Sequence, residues 1–268
     1  MVEQDYVRRK PRMRRETFIV LGLLLIPLIG TLLVMVPRPA EYELEGEIIP
    51  ISDIGIDGSV HYTIVRSGIV RNAVERFWVA NAYSDEGVIF HPIEPDMLET
   101  YEESFEETWS IASAVEGAGG AVAASADSEE AAETEDYGDN RVQTILAELD
   151  DYHGDSMGLM LAIGLYEEKL DMNFSRMLGA TIAGTGAIDE AGDVWSVGAI
   201  EQKLAGADAM HTDIFFIPAD YDWYGEESNE AEASRVKQAR ELAMEIVPVA
   251  SLEEAIDYLL TRSSSKEE

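Results

Sequence analysis

The sequence has 268 residues, of which 46% are hydrophobic, so one or two domains with a substantial hydrophobic core are expected. The formal net charge is −34, and so acidic a chain repels phosphate backbones, which disfavours nucleic acid as a partner. Cysteine is absent, which excludes disulfides, thiolate metal sites and a cysteine nucleophile.

The chain begins with a basic tail and an apolar segment. Residues 1–16 form the tail, and residues 17–36 are uncharged and apolar. A helix of that length spans about 30 Å, the thickness of the hydrocarbon core of a bilayer. A cleaved signal peptide is the alternative, but its apolar region is usually about 7–15 residues long and ends at a small-residue cleavage site. We therefore expect an uncleaved transmembrane helix.

The flanking charges predict the orientation of this helix. Basic residues precede it, and Glu41, Glu43 and Glu45 follow it. Because positive charge favours the cytoplasmic side, the N-terminus is expected in the cytoplasm and the body outside the cell membrane. After position 38 the chain holds 12 basic and 50 acidic residues, a net charge of −38.

Two segments of different character follow the apolar segment. Residues 41–93 are expected to be rich in β-strands, because 58–65 alternate in polarity and 75–83 are aromatic and β-branched. Residues 94–138 combine many acids with a low-complexity run of small residues, which is typical of a mobile linker or surface loop.

Residues 139–262 alternate between helical and strand patterns, which predicts a layered domain of the α+β class. A turn cluster at 189–193 indicates a hairpin. Ser251 and Glu254 have the spacing of a capping box at the start of the last helix. The other expected elements are helices at 156–170, 200–210 and 231–246, and strands at 179–188, 194–200, 212–219 and 246–250.

The first candidate for chemistry is Ser156, in the sequence Gly-Asp-Ser-Met-Gly at the start of an apolar helix. The glycines permit a sharp backbone turn, and the helix N-terminus has N–H groups that can hold a developing oxyanion. A serine hydroxyl is a weak nucleophile by itself and needs a base. A helix-start serine beside packing glycines, without catalytic function, is the alternative.

The second candidate is Lys203. By helical spacing it shares a face with Ile200, Leu204 and Ala207, whereas Glu201, Gln202 and Asp208 point elsewhere. Burial disfavours the charged form of a lysine and lowers its pKa, which suits it to act as a general base. The alternative is a lysine that lays its stem on the core and keeps its amine in water.

Four segments together resemble the proteolytic domain of Lon-type serine proteases, in particular their membrane-anchored, Lon-like relatives. They are GDSMG (154–158), IAGTGAIDEAGDV (182–194), VGAIEQKLAGA (197–207) and IFFIPA (214–219). The similarity covers residues 154–220 well and continues to about 260. It implies a Lon-like fold and a Ser–Lys dyad with Ser156 as nucleophile and Lys203 as base. Thr185 matches a threonine that the family places near the lysine. The resemblance also implies polypeptide substrates, and homo-oligomeric rings are frequent in the family.

The sequence departs from the family pattern at four positions beside the dyad: Asp155, Met157, Ala199 and Glu201 replace proline, alanine, glycine and lysine. Asp155 puts a carboxylate next to the nucleophile, where it can raise the pKa of Lys203. No PDZ domain is recognisable before Ser156. No phosphate-binding Gly-x-x-x-x-Gly-Lys-Ser/Thr motif occurs, so no ATPase motor and no cofactor are expected.

Three other interpretations stay open at this point. A membrane-tethered adaptor with an inactive protease fold is one. An α/β-hydrolase esterase is another, because Gly-x-Ser-x-Gly also marks a nucleophile elbow, with His211 as the one histidine that follows the serine. A metal site is the third, but the spacing of the acidic residues and the histidine fits neither zinc nor calcium, so we expect none. The residues concerned are Asp150, Asp151, His153 and Asp155.

Overall fold

A computed structural model describes residues 15–100, 111–125, 141, 144–146, 148–149, 154–219, 225 and 228–265. The N-terminal elements are α1 (Arg15–Met35), β1 (Pro37–Glu43), β2 (Glu47–Pro50), a 3-10 helix (Ile51–Ile54), β3 (His61–Ile64), β4 (Ser67–Asn72), α2 (Ala73–Ala82), β5 (Ile89–Pro92) and α3 (Ile111–Ala124). The C-terminal elements are α4 (Gly158–Leu170), α5 (Phe174–Leu178), β6 (Ile182–Gly184), β7 (Ala187–Ile188), β8 (Val194–Trp195), α6 (Ile200–Ala209), β9 (Ile214–Pro218), α7 (Asn229–Arg240), β10 (Glu245–Val249) and α8 (Leu252–Ser264).

A five-stranded mixed sheet organises the body, in the order β10-β9-β6-β3-β2. The pairs β10–β9, β9–β6 and β6–β3 are parallel, whereas β3–β2 is antiparallel. Successive residues of a strand face opposite sides of a sheet, and on β9 Phe216 packs into one hydrophobic cluster and Phe215 into the other. Residues of α4 and α8 cover the first side, and residues of α6 and α7 the second. The chain is therefore a mixed α/β structure in three layers.

The N-terminal strands are divided between two sheets. β2 and β3 complete the central sheet, whereas β1 lies between β4 and β5 in a separate antiparallel sheet. The segments 41–93 and 139–262 therefore share the central sheet, because β3 pairs with β6. Whether they are separate domains stays a prediction, and residues 1–14 of the basic tail lie outside the described residues.

The strand expected at 75–83 is wrong, since this segment belongs to the helix α2. Asn72 starts the helix, because its side-chain oxygen accepts hydrogen bonds from the backbone N–H groups of Val74 and Glu75. The Glu75 carboxylate in turn accepts from Asn72 Nδ2 and from the N–H of Arg71. This reciprocal capping outweighs the strand preference of the aromatic residues.

The linker or surface loop expected within 94–138 is wrong for α3. This helix packs against α4 and β7, and Ala114, Val115 and Ala118 are fully buried. Its small residues permit a close approach: a Cβ atom added at Gly117 would lie 2.2 Å from the carbonyl oxygen of Ile188. Residues 101–110 and 126–138 of the expected linker lie outside the described residues.

Most other elements confirm the sequence patterns. The helices at 156–170 and 200–210, the strand at 212–219 and the hairpin around 189–193 are present as α4, α6, β9 and β7–β8. The Ser251 hydroxyl accepts from the Glu254 N–H at the start of α8, as the capping pattern predicts. The helix expected at 231–246 is too long, because Glu241 adopts a left-handed conformation that ends α7 before β10 begins.

A buried carboxylate joins the N-terminal segment to the C-terminal half. Glu167 of α4 is fully buried and accepts hydrogen bonds from Ser59 N (2.6 Å), Ser59 Oγ (2.5 Å) and Phe174 N (2.6 Å). Three donors satisfy the carboxylate, which offsets the free energy lost by removing it from water. This contact fixes the segment before β3 against α4 and α5.

Gly117, one of the three glycines of α3, provides a test of the burial of this helix. On an exposed helix, Gly117→Ala would stabilise the fold by about 0.5–1 kcal/mol. Against Ile188, the added methyl group must displace backbone, so we expect a loss of about 1–3 kcal/mol in the free energy of unfolding. Chemical denaturation measures this difference, with the exposed Ala123→Ser as the control. A stabilised Gly117→Ala protein would contradict the packing of α3.

Candidate active site

Helix α6 carries Lys203 into the interior of the body. Ile200, Leu204 and Ala207 on the same face are fully buried, which confirms the stripe expected from the sequence. Lys203 is 3% exposed. Its amine therefore lies in the core and does not extend into water.

The expectation that Gln202 points away from the core is wrong, because this side chain is only 4% exposed. The segment that follows β1 covers it: Gly46 N donates to Gln202 O at 2.8 Å. Gly46 and Gly206 permit this approach, since a Cβ atom at Gly206 would lie 1.9 Å from the oxygen of Gly46. Helix α6 is thus buried on two sides.

Thr185 connects Lys203 to the turn that holds Ser156. It lies between β6 and β7 and is fully buried. Its hydroxyl accepts a hydrogen bond from Lys203 Nζ at 3.0 Å and donates one to the backbone oxygen of Ser156 at 2.9 Å. The three residues that the sequence singled out therefore form one continuous chain of contacts.

Ser156 lies in the turn just before α4, and its backbone is fixed to the β6–β7 connection. Its carbonyl oxygen accepts a second hydrogen bond from Gly186 N at 2.8 Å, and Leu159 N donates back to Gly186 O at 2.9 Å. Gly154 turns the chain with a φ of +94°, a conformation that favours glycine. Ser156 is partly exposed.

Backbone N–H groups beside Ser156 are available for an anion. Within the described ranges, neither the Ser156 N–H nor the Met157 N–H donates to an acceptor. Both belong to the turn that leads into α4, where the helix N-terminus favours negative charge. A carbonyl oxygen that becomes negatively charged near Ser156 would find donors there.

Burial shifts the proton equilibrium of Lys203. Removal from water lowers the pKa of Lys203 to about 8, against the attraction of the carboxylates of Asp155, Glu43 and Glu232, which raise it. Burial also raises the pKa of Asp155, and the contact with its own backbone N–H and the charge of Lys203 act in the opposite direction. The amine thus carries its proton at neutral pH but releases it far more readily than an ordinary lysine.

Two of the three carboxylates that act on Lys203, those of Glu43 and Glu232, were not predicted from the sequence. Glu43 lies at the end of β1, where burial and Glu41 raise its pKa and His91 lowers it. Glu232 lies in the first turn of α7, and its Oε1 accepts from Glu201 N at 3.1 Å. Neither residue has a spacing relation to Lys203 along the chain, so only the fold brings these charges together.

Of the other candidate residues, the structure describes His211, which does not join this cluster. His211 is exposed in the turn after α6, with a φ of +55°, so the esterase interpretation has no buried histidine here. Asp150, Asp151 and His153 lie outside the described residues. In the part of the chain that the structure describes, no group of three or more His, Asp or Glu side chains is arranged to hold a metal ion.

Comparison with known protein families returns no match for this chain, and no curated protein matches it. The site is therefore characterised by its own geometry. It combines a buried amine, a threonine hydroxyl that bridges, and a serine in a turn at the start of a helix.

The burial of Lys203 predicts that this residue destabilises the fold. A shift of the pKa from 10.5 to about 8 corresponds to about 3 kcal/mol lost from the free energy of unfolding below pH 8. Lys203→Met keeps the length of the side chain without the charge, so we expect a higher melting temperature at pH 7. A thermal unfolding series at different pH values measures this gain.

The sign of the pH dependence provides the control. The unfolded chain holds the lysine proton up to about pH 10.5 and the folded chain only up to about pH 8. The advantage of Lys203→Met should therefore shrink as the pH rises from 8 to 10.5. A variant that melts below the wild type at pH 7 would contradict the burial of an unfavourable charge.

Proposed function

We propose that this chain is a membrane-anchored serine endopeptidase in which Lys203 is the general base for the hydroxyl of Ser156. One observation carries the proposal: a lysine in the core, with a pKa lowered to about 8, is joined through Thr185 to the turn of a partly exposed serine. A base with a pKa near the operating pH is what activation of a serine hydroxyl requires.

In the proposed reaction, the neutral amine of Lys203 takes the proton of Ser156 Oγ as this oxygen attacks a peptide carbonyl. The N–H groups of Ser156 and Met157 stabilise the oxyanion that forms. The ammonium then returns its proton to the leaving amine, and an acyl-enzyme remains. Lys203 then takes a proton from a water molecule, whose oxygen attacks the ester. The lysine returns this proton to Ser156 Oγ as the ester bond breaks, which restores free Ser156 and releases the carboxylic acid product, and the acid loses its own proton to solvent.

Thr185 is assigned a positioning role in this scheme. Its hydroxyl already donates to the Ser156 carbonyl, so the lone pair that remains accepts from Lys203 Nζ. This contact holds the amine beside the serine turn in both protonation states, because an amine retains N–H donors after it loses a proton.

The resemblance to Lon-type proteases extends the proposal to fold and substrate. On the basis of that resemblance, we extend the proposal to a Lon-like proteolytic domain that acts on polypeptides without an ATPase motor of its own. Assembly into homo-oligomeric rings, which the resemblance also implies, would restrict access to unfolded or flexible chains. No cofactor is needed for the proposed reaction.

The anchor in this proposal is α1. It is the one helix in the described ranges long and apolar enough to cross a membrane, and none of the window from Phe18 to Met35 is buried against the body. Pro27 interrupts its hydrogen bonding, and Thr31 Oγ1 donates to the Pro27 oxygen at 2.8 Å within the same helix. A signal sequence would have the same properties, and the length of the apolar segment favours an uncleaved anchor.

A non-catalytic membrane adaptor is the second candidate. The observation that favours it is the set of carboxylates around Lys203, all of which stabilise the protonated amine. At pH 7 only about one tenth of the lysine is neutral, which slows a general base but does not abolish it.

Substitution of the dyad separates the two candidates. Ser156→Ala and Lys203→Met should each lower the cleavage of an unfolded, fluorescently labelled polypeptide by at least about 100-fold, because each removes a group required for the first step. Lys169→Met, the same change at a partly exposed lysine of α4, is the matched control. Unchanged turnover in either dyad variant would end the dyad proposal, and a wild-type chain without activity would favour the adaptor.

The rate should also depend on pH through Lys203. Below pH 8, kcat/KM should fall about tenfold for each unit, since the neutral fraction of the amine falls by that factor. Asp155→Asn removes a charge that raises the pKa of Lys203, so the midpoint of the profile should move to lower pH. Asp208→Asn, at the exposed face of α6, is the control. A midpoint that stays in place or rises in Asp155→Asn would contradict this electrostatic role.

The orientation of the anchor is tested in whole cells. Protease added to intact cells or spheroplasts should digest the body, with a cytoplasmic protein as the protected control. The mature chain should retain its N-terminal residues by mass spectrometry. Protection of the body until lysis would contradict the orientation, and a mature chain that begins after position 36 would contradict the anchor.

A further inference from the structure

Two adjacent aromatic side chains on α2 are mostly exposed to solvent. Phe77 is 64% and Trp78 is 65% exposed, more than any other large apolar side chain outside α1 in the described ranges. Their rings contact each other edge to face, with centroids 6.2 Å apart. Helix α2 buries none of its residues, so this pair is not a misplaced part of the core.

The fold fixes this helix beside the end of α1. Asn72, which caps α2, is paired with Pro37, and Pro37 comes two residues after the end of α1. Both α2 and the strand before it, β4, contact α1. The capping contacts of Asn72 and Glu75 tie the start of α2 to the end of β4, and so place the helix next to α1.

Positive charge accompanies the aromatic pair. Arg38, Arg71 and Arg76 are all exposed at this end of the body, and the Arg76 guanidinium lies over the Phe90 ring, 4.4 Å from its centroid. The chain after position 38 as a whole has a net charge of −38. Two acids of this region are engaged: Glu75 accepts hydrogen bonds at the start of α2, and Glu86, beyond its end, pairs with Arg66 at 2.6 Å. Asp85 is exposed and lies in the turn after α2.

We propose that α2 lies on the surface of the bilayer that α1 crosses, with Phe77 and Trp78 in the headgroup layer and the arginines against anionic lipid. Tryptophan is enriched at the membrane–water interface, because its ring is apolar and its N–H is polar. Amphipathic surface helices combine aromatic side chains with Arg or Lys in the same way. The proposal rests on the anchor assigned to α1 and does not depend on catalysis by Ser156.

Depth-dependent quenching of Trp78 tests this contact. The full chain, with Trp109, Trp195 and Trp223 changed to Phe, is reconstituted in vesicles of phosphatidylcholine and phosphatidylglycerol. Lipids brominated near the top of the acyl chain should quench the emission of Trp78 at least about twofold, since a surface helix lies about 5–10 Å into the interface. The matched control retains only Trp195, which is 44% exposed on the β7–β8 hairpin and should keep its emission.

A second variant protects the test against misfolding of the triple substitution. The wild-type chain with Trp78→Phe alone should lose the lipid-quenched component and keep the emission of the other three tryptophans. In vesicles without phosphatidylglycerol, the quenching of Trp78 should decrease. Equal quenching in both vesicles would overturn the part assigned to the arginines.

The remaining outcomes distinguish the proposal from the anchor itself. A chain that floats with the vesicles while Trp78 is not quenched by lipid would overturn the docking of α2 and leave the anchor intact. Trp78 shielded from aqueous iodide but not quenched by lipid would indicate a protein partner, such as a second copy, and would also overturn it. A chain that does not float with the vesicles would overturn the anchor and the docking of α2 together.

Discussion

The amine of Lys203 lies in the core and, within the described ranges, donates one hydrogen bond to a side chain, the hydroxyl of Thr185. An ammonium group in such a place is unfavourable, and the charges of three carboxylates only partly offset its removal from water. The pKa of about 8 expresses this balance. A side chain that serves only stability would be apolar here, which is the physical reason to assign the lysine a chemical role.

Elements from both halves of the chain pack closely against α6. Gly46 and Gly206 bring the segment after β1 against the helix, and Arg240 reaches Glu201 from α7. The same contacts bring Glu43 close enough to influence the lysine. The sheet next to α1 and the candidate active site are therefore physically coupled, although residues 41–93 carry none of the proposed reactive groups.

The sequence predicted those features that depend on local periodicity. Helical spacing alone placed Lys203 on the apolar stripe of α6 with Ile200 and Leu204, but it left open whether the amine is buried or extends into water. A position of Thr185 near Lys203 was expected only from a family resemblance, and its hydrogen bond to the Ser156 carbonyl was not predicted, since nothing in the spacing joins the two residues. Helix α3 was not predicted, because alanine and glycine bury little apolar area. A sequence rich in these residues therefore has the composition of a linker, even where it forms a helix that packs against another.

The other errors also have local causes. The strand expected at 75–83 is a helix. An asparagine followed three residues later by a glutamate forms a helix cap, and this cap outweighs the strand preference of the aromatic residues. Glu43 and Glu232 are distant from Lys203 along the chain. Their charges meet it only through the pairing of strands and helices, for which a single sequence has no signal.

The junction between α1 and β1 has a mechanical consequence. A single residue, Val36, separates them, and β1 is seven residues long, roughly 23 Å at 3.3 Å per residue. With α1 in a bilayer, the far end of β1, and with it the buried amine of Lys203, would be held at a nearly constant height above the lipid. Such a short connection would leave the body little freedom to move away from the bilayer, and it would keep the exposed segments of other proteins in the same membrane close to Ser156.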